Sequence, residues 1–305
     1  MNRLFIAVLA LCFVSFEGFT QTTEVVAYWK KGDKQKIKTH EGFIEYEGSK
    51  IIKKEVTTSL VEMIVLQENE TSYTIEWNYT DSSVDKINMG DEEEEDIYKE
   101  LDKLFSKLRI VYKTDEFGSF QQVTNMMEIK TSLTDSLHDF IKNNFEDEKE
   151  GEMFYEIMSA MLLSEDMEDQ ISSEIQTYHY YLGDVFTDTL ANYVEERPSQ
   201  FGKEVIPVKG AVEVISNPTN ETITINDKKI YEPTALKKAM IGVGKNLKKG
   251  PKRLKKAFDG HEFEMIDTED YKYNYRTGFL QYYKQKRSFS SEGKRKDSFI
   301  IIEEI

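Results

Sequence analysis

The chain of 305 residues, 39% hydrophobic and 31% charged, has the composition of a folded globular protein and not of a disordered one. Its formal net charge of -16 excludes generic polyanion binding, and with it nucleic acid, unless positive charge is gathered in one place. Aromatic residues make up 12%, a content suited to half-buried antiparallel strands.

The first twenty residues follow an export pattern. Arg3 supplies a positive charge, Leu4 to Phe16 is an apolar core, and Glu17-Gly18-Phe19-Thr20 is polar and rich in small residues. Such a run is too short for a bilayer anchor, which takes roughly 20 apolar residues, and fits a cleavable signal. Cleavage is expected after Thr20, with export to the periplasm or the outside. Cys12 is the only cysteine, and Leu11 before it does not suit a lipidation site. A chain cut after Thr20 has no disulfide, no thiolate chemistry and no Cys metal site, which fits a bacterial periplasm.

Strand signals dominate residues 24–80. Tyr73, Ile75, Trp77 and Tyr79 alternate with Thr74, Glu76 and Asn78, a period of two that predicts one buried and one wet face. Val25, Ala27 and Trp29 alternate in the same way, and residues 50–66 read as one long strand or a bent pair. Asp91–Leu108 reads as a helix, with Ile97, Leu101, Leu104, Phe105 and Leu108 on one stripe and acidic residues in its first turns. Ile110–Thr114 is a strand followed by a turn at Asp115–Gly118. Residues 129–182 are helical, residues 185–231 return to strands, and Thr234–Phe258 is a second long helix, broken or kinked at Gly250-Pro251. Residues 262–304 are strand-rich again. The expected organisation is a signal peptide at 1–20, a strand-rich half at 21–128 with helix 91–108, a helical insertion at 129–184, and a second strand-rich half at 185–305 with helix 234–258.

A weak echo links the halves. Tyr112-Lys113-Thr114 followed by Gly118-Ser119-Phe120-Gln121 resembles Tyr275-Arg276-Thr277 followed by Gly278-Phe279-Leu280-Gln281. Either a duplication or unrelated hairpins with shared turn chemistry accounts for it. The stretch Val111 to Ile129, with a signal ending before Gln21, resembles exported proteins of Bacteroidetes that have no assigned role. That resemblance implies a periplasmic or secreted location and carries no activity.

Catalytic and metal motifs fail on inspection. A calcium loop centred on Gly90 would need oxygen ligands where Ile87 and Met89 stand. The four histidines, His40, His138, His179 and His261, have no spacing that sets two imidazoles on one helix face. Ser291-Glu292-Gly293-Lys294 matches a Ser-x-x-Lys spacing but reads as a hairpin turn, and Gly242-Val243-Gly244-Lys245 lacks the features of a phosphate loop. No cofactor is expected.

Helix 234–258 stands out. Its apolar stripe, Leu236, Met240, Val243, Leu247, Leu254 and Phe258, is flanked by Lys237, Lys238, Lys245, Lys248, Lys249, Lys252, Arg253, Lys255 and Lys256, with no acid. Such a face either meets anionic headgroups or an acidic partner, or is solvated beside the protein's own acidic helices.

The expected fold is therefore α+β: curved antiparallel sheets packed on two long amphipathic helices, with a helical insertion and two similar halves. The first functional reading is an exported, non-enzymatic binding or interaction protein for an apolar ligand held between sheet and helix. An envelope-associated structural protein using the basic helix comes second, and a hydrolase with an unrecognised site third.

Overall fold

A computed structural model of the protein describes residues 22–88, 108–145, 147–162, 164, 167–199, 205–246 and 260–305. Among these described residues thirteen strands follow in chain order: β1 (Thr22–Glu24), β2 (Lys34–Glu47), β3 (Lys50–Asn69), β4 (Ser72–Asn88), β5 (Arg109–Asp115), β6 (Phe120–Val123), β7 (Val185–Thr187), β8 (Thr189–Pro198), β9 (Val205–Asn217), β10 (Thr222–Tyr231), β11 (Glu264–Asn274), β12 (Leu280–Ser291) and β13 (Lys294–Glu304). The helices among the described residues are α1 (Met126–Asn144), α2 (Glu148–Leu162), α3 (Met167–Tyr178) and α4 (Pro233–Asn246).

Eleven of the strands form one antiparallel sheet in the order β6-β5-β4-β3-β2-β13-β12-β11-β10-β9-β8, and β1 pairs with β7 apart from it. This corrects the α+β expectation. The described chain is mostly β, its helices are short, and no pair of long helices packs on a sheet among the described residues. The reason is long-range pairing. β13 lies against β2 from Glu304↔Ile37 to Lys294↔Glu47, so the two strand-rich groups close into one sheet. The strands also run beyond their alternating windows, with 14, 20 and 17 residues in β2, β3 and β4. Of the expected helix 91–108, residues 91–107 lie outside the described residues, as do residues 247–258 of the second. No described helix is long and apolar enough to cross a membrane.

The core lies on one face of this sheet. Ile75 and Trp77 of β4 are fully buried, with Tyr73 and Tyr79 half-buried at either end of the stripe, as the period of two predicts. Across the register, Trp77 sits between Met63 and Ile110, and the edge of its ring meets Tyr178 of α3 at 5.5 Å. Between β6 and β7 the chain forms α1, α2 and α3. On α1 the buried residues Ile129, Leu133, Leu137 and Phe140 recur at helical spacing. α4 starts at Pro233 behind Glu232, whose carboxylate accepts the backbone N–H groups of Thr234 and Ala235 at 3.0 and 2.5 Å. Its Leu236 and Ala239 pack on the far end of the sheet with Ile206, Val208 and Tyr231.

Val25, Ala27 and Trp29 are buried as expected, but as an extended strap outside the main sheet. The strap passes between two hairpin tips. Ala27 donates its N–H to Phe117 O at 2.9 Å, and Tyr28 donates to Thr277 O at 3.3 Å. Gly278, at φ +77°, leaves no room for a side chain, since a Cβ there would lie 2.4 Å from Val26 O. These tips carry the two echoing stretches. Their Tyr-basic-Thr triplets take different places, however, within β5 at 112–114 and in the turn itself at 275–277.

Candidate binding cavity

The inner face of the sheet changes character along β2, β3 and β4. Ile37, Val61 and Met63 are apolar and buried, whereas the next same-face positions are Thr39, Ser59, Glu41 and Thr57. The register sets Thr39 opposite Ser59 and Ser59 opposite Ser82, and in the next row Ile300 opposite Glu41 and Glu41 opposite Thr57. A bulge completes the floor. β4 pairs Tyr79 with Val61 but Asp81 with Leu60, which leaves Thr80 unpaired. One extra residue reverses the parity of the strand, so Tyr79 and Ser82 both face inward.

Above this hydroxyl-bearing floor lie Met158 and Leu162 of α2, and Met167, Gln170, Ile171 and Glu174 of α3. The α3 residues recur at spacings of three and four, so they share one helix face. Leu108 and Ile110 close one end. The space enclosed is about 290 Å³, close to the smallest sites that hold small molecules, roughly 300–1,000 Å³. Its roof is apolar apart from Gln170 and Glu174, and flexible through Met158 and Met167. Its floor is polar, so the cavity is amphipathic.

Two carboxylates line it. Tyr79 donates its hydroxyl to Glu174, and the Thr39 hydroxyl lies beside the same carboxyl. Burial raises the pKa of Glu174, the two hydroxyl donors oppose that rise, and the neighbouring charge of Glu41 adds to it. Burial also raises Glu41. Tyr79 is pushed well above its usual value by burial and by the Glu174 charge. None of the described lining residues is Lys, Arg or His.

Behind the cavity a second polar cluster holds α3 in place. Tyr178 donates to Gln35 Oε1, Gln35 Nε2 donates to Leu280 O at 2.8 Å, and Tyr273 donates its hydroxyl to Tyr178 O at 3.0 Å. His179 Nδ1 is 2.6 Å from Gly118 O, which fixes that nitrogen as the donor, so Nε2 accepts the Tyr112 hydroxyl at 2.8 Å. Both bonds suit a neutral ring, and burial lowers the His179 pKa to about 3.

The structure scatters the other histidines. His40 bonds Thr58 Oγ1, His138 stacks on Tyr155, and His261 contacts Glu292. No group of three potential metal ligands occurs among the described residues. Ser291 to Lys294 form the β12–β13 turn, and Gly242 to Lys245 lie in α4. Of the basic helix, Lys237 is half-buried and donates to His261 O at 3.3 Å, Lys238 is exposed, and Lys245 lies near the end of α4. Lys248, Lys249, Lys252, Arg253, Lys255 and Lys256 lie outside the described residues. Sequence reading missed the cavity residues. The run Thr57-Thr58-Ser59 inside a long strand was the available signal, since hydroxyls on the inward parity interrupt an otherwise apolar face.

No family model and no curated protein sequence matches this chain. Among solved structures it is similar to one described as lipid-protein interactions in lipovitellin, at a TM-score of 0.39 and 6% identity, over 90% of this chain and 25% of that one. The chain thus spans a quarter of that protein's length.

Proposed function

We propose that the protein is an exported binding protein that holds a small amphipathic molecule between the sheet and helices α2 and α3. The observation that carries this is the cavity, with hydroxyls on one wall and methionine, leucine and isoleucine side chains on the other. A space with convergent polar groups and an apolar roof suits one small ligand, oriented by its polar end.

A neutral apolar probe such as N-phenyl-1-naphthylamine should bind saturably, with enhanced emission. Filling the roof by Ile171→Trp, or the floor by Ser82→Leu, should weaken that binding at least tenfold. Thermal melts of both variants should confirm that they are folded. Unsaturable binding, or unchanged affinity in both folded variants, overturns the reading.

Export rests on Arg3, the apolar run Leu4 to Phe16 and the small residues Gly18 and Thr20. Protein recovered from the periplasm or medium should have the intact mass of a chain beginning at Gln21. A mass that retains residues 1–20, or a lipid on Cys12, defeats this part of the proposal.

A further inference from the structure

The charge pattern of the cavity narrows the class of ligand. The cavity offers hydroxyl oxygens and carboxylates, and both charged groups on the described lining, Glu41 of the floor and Glu174 of α3, are acidic. Glu41 stands two residues along β2 from Thr39, on the same face, about 7 Å away. Thr39 in turn lies beside Glu174, and the Glu41 charge reaches Glu174, so the two carboxyls belong to one end of the cavity. Glu174 has hydroxyl partners in Tyr79 and Thr39. Hydroxyl donors stabilise a carboxylate but bring no counter-charge, and a buried anion is stabilised most by a cation in contact with it. Among the described residues, the two lysines of β2 and β4 beside these positions have acidic partners of their own. Lys86 pairs with Glu55 at 3.6 Å, and Lys38 approaches Glu303 at 3.9 Å.

From this geometry, and resting on the cavity-binding reading above, we infer that the cavity selects amphiphiles with a protonated amine head over carboxylates of equal tail length. The ammonium sits between Glu174 and Glu41 and gives its third N–H to a floor hydroxyl, Ser59 or Thr57. Its three donors match the acceptors available, which a carboxylate head cannot use. The alkyl tail lies under Met158, Leu162, Met167 and Ile171. A ligand carboxylate at the same place meets two like charges, and this repulsive element sharpens selection as much as the attraction does.

The test displaces the naphthylamine probe from the mature protein at pH 8 with three ligands of one tail length: decylammonium, decanol and decanoate. Decylammonium should displace it at a concentration at least 30-fold below that of decanoate, with decanol between them. In Glu41→Gln/Glu174→Gln the gap between the charged ligands should shrink to within about threefold. Glu41→Gln alone should narrow it in part, and melts should establish that each variant is folded. Failure of the probe to bind the wild type removes the cavity reading and this inference with it. Probe binding with decanoate equal to or better than decylammonium removes the inference alone. So does a full amine preference that persists in the folded double variant.

Discussion

Trp77→Ala should destabilise the protein by about 3–5 kcal/mol, as large-to-small changes in a packed core do. Trp77 is fully buried at the centre of β4, with Met63 and Ile110 as its cross-strand neighbours. Its ring also meets Tyr178, so the truncation leaves a void under α3 as well as on the sheet. The loss has a second consequence, because Tyr178 anchors α3 through Gln35 and Leu280. Since α3 also carries Glu174 and Ile171, a loosened α3 should weaken probe binding along with stability. Urea denaturation checks the first effect, with the midpoint expected to fall at unchanged slope. A loss below about 1 kcal/mol would mean that the site collapses without cost, contrary to close packing in this core.

The second large effect is on acid stability. His179 has a folded pKa of about 3, lowered by burial, against about 6.5 for a free imidazole. The ring is therefore neutral in the fold, while the unfolded chain takes up a proton below about pH 6.5. The unfolded state then binds more protons, so its stabilising contribution is complete above pH 6.5 and is lost progressively as pH falls toward 3. Between pH 7.5 and 5 this group should remove about 2 kcal/mol. The raised carboxyls of Glu41, Glu174, Asp184 and Asp270 act in the opposite direction, since they favour the fold when protonated. A difference measurement isolates the histidine. His179→Gln keeps a donor for Gly118 and an acceptor for Tyr112, and its stability should fall less steeply over the same range by about 2 kcal/mol. Equal slopes for the two proteins would show that His179 is not held neutral.

Local pattern made several elements legible from the sequence alone. The alternation of Tyr73, Ile75, Trp77 and Tyr79 marked a strand with one buried face, and the helical spacing in residues 129–182 marked the insertion that becomes α1 to α3. The turns at Gly118, at Gly278 and at Glu292-Gly293 were also visible, because turn chemistry is set by a few adjacent residues. The sheet was another matter. Residues 50–66 were legible as the one long strand that becomes β3, but charged and hydroxyl residues interrupt the alternation in β2 and in the second half of β4, so periodicity understated those two and suggested separate sheets packed on long helices.

The cavity is wholly a tertiary product. Thr39 and Glu174 are adjacent only because β2 pairs with β3, the insertion folds back over both, and the strap at 25–29 pins the hairpin tips below. Even the inward direction of Ser82 depends on one unpaired residue, Thr80, in the register with β3. The period of a sequence says which of its own faces is apolar, and that information is local. Which distant face meets it is decided by strand pairing and packing across more than a hundred residues. There a shift of a single residue moves a hydroxyl from the solvent side to the cavity.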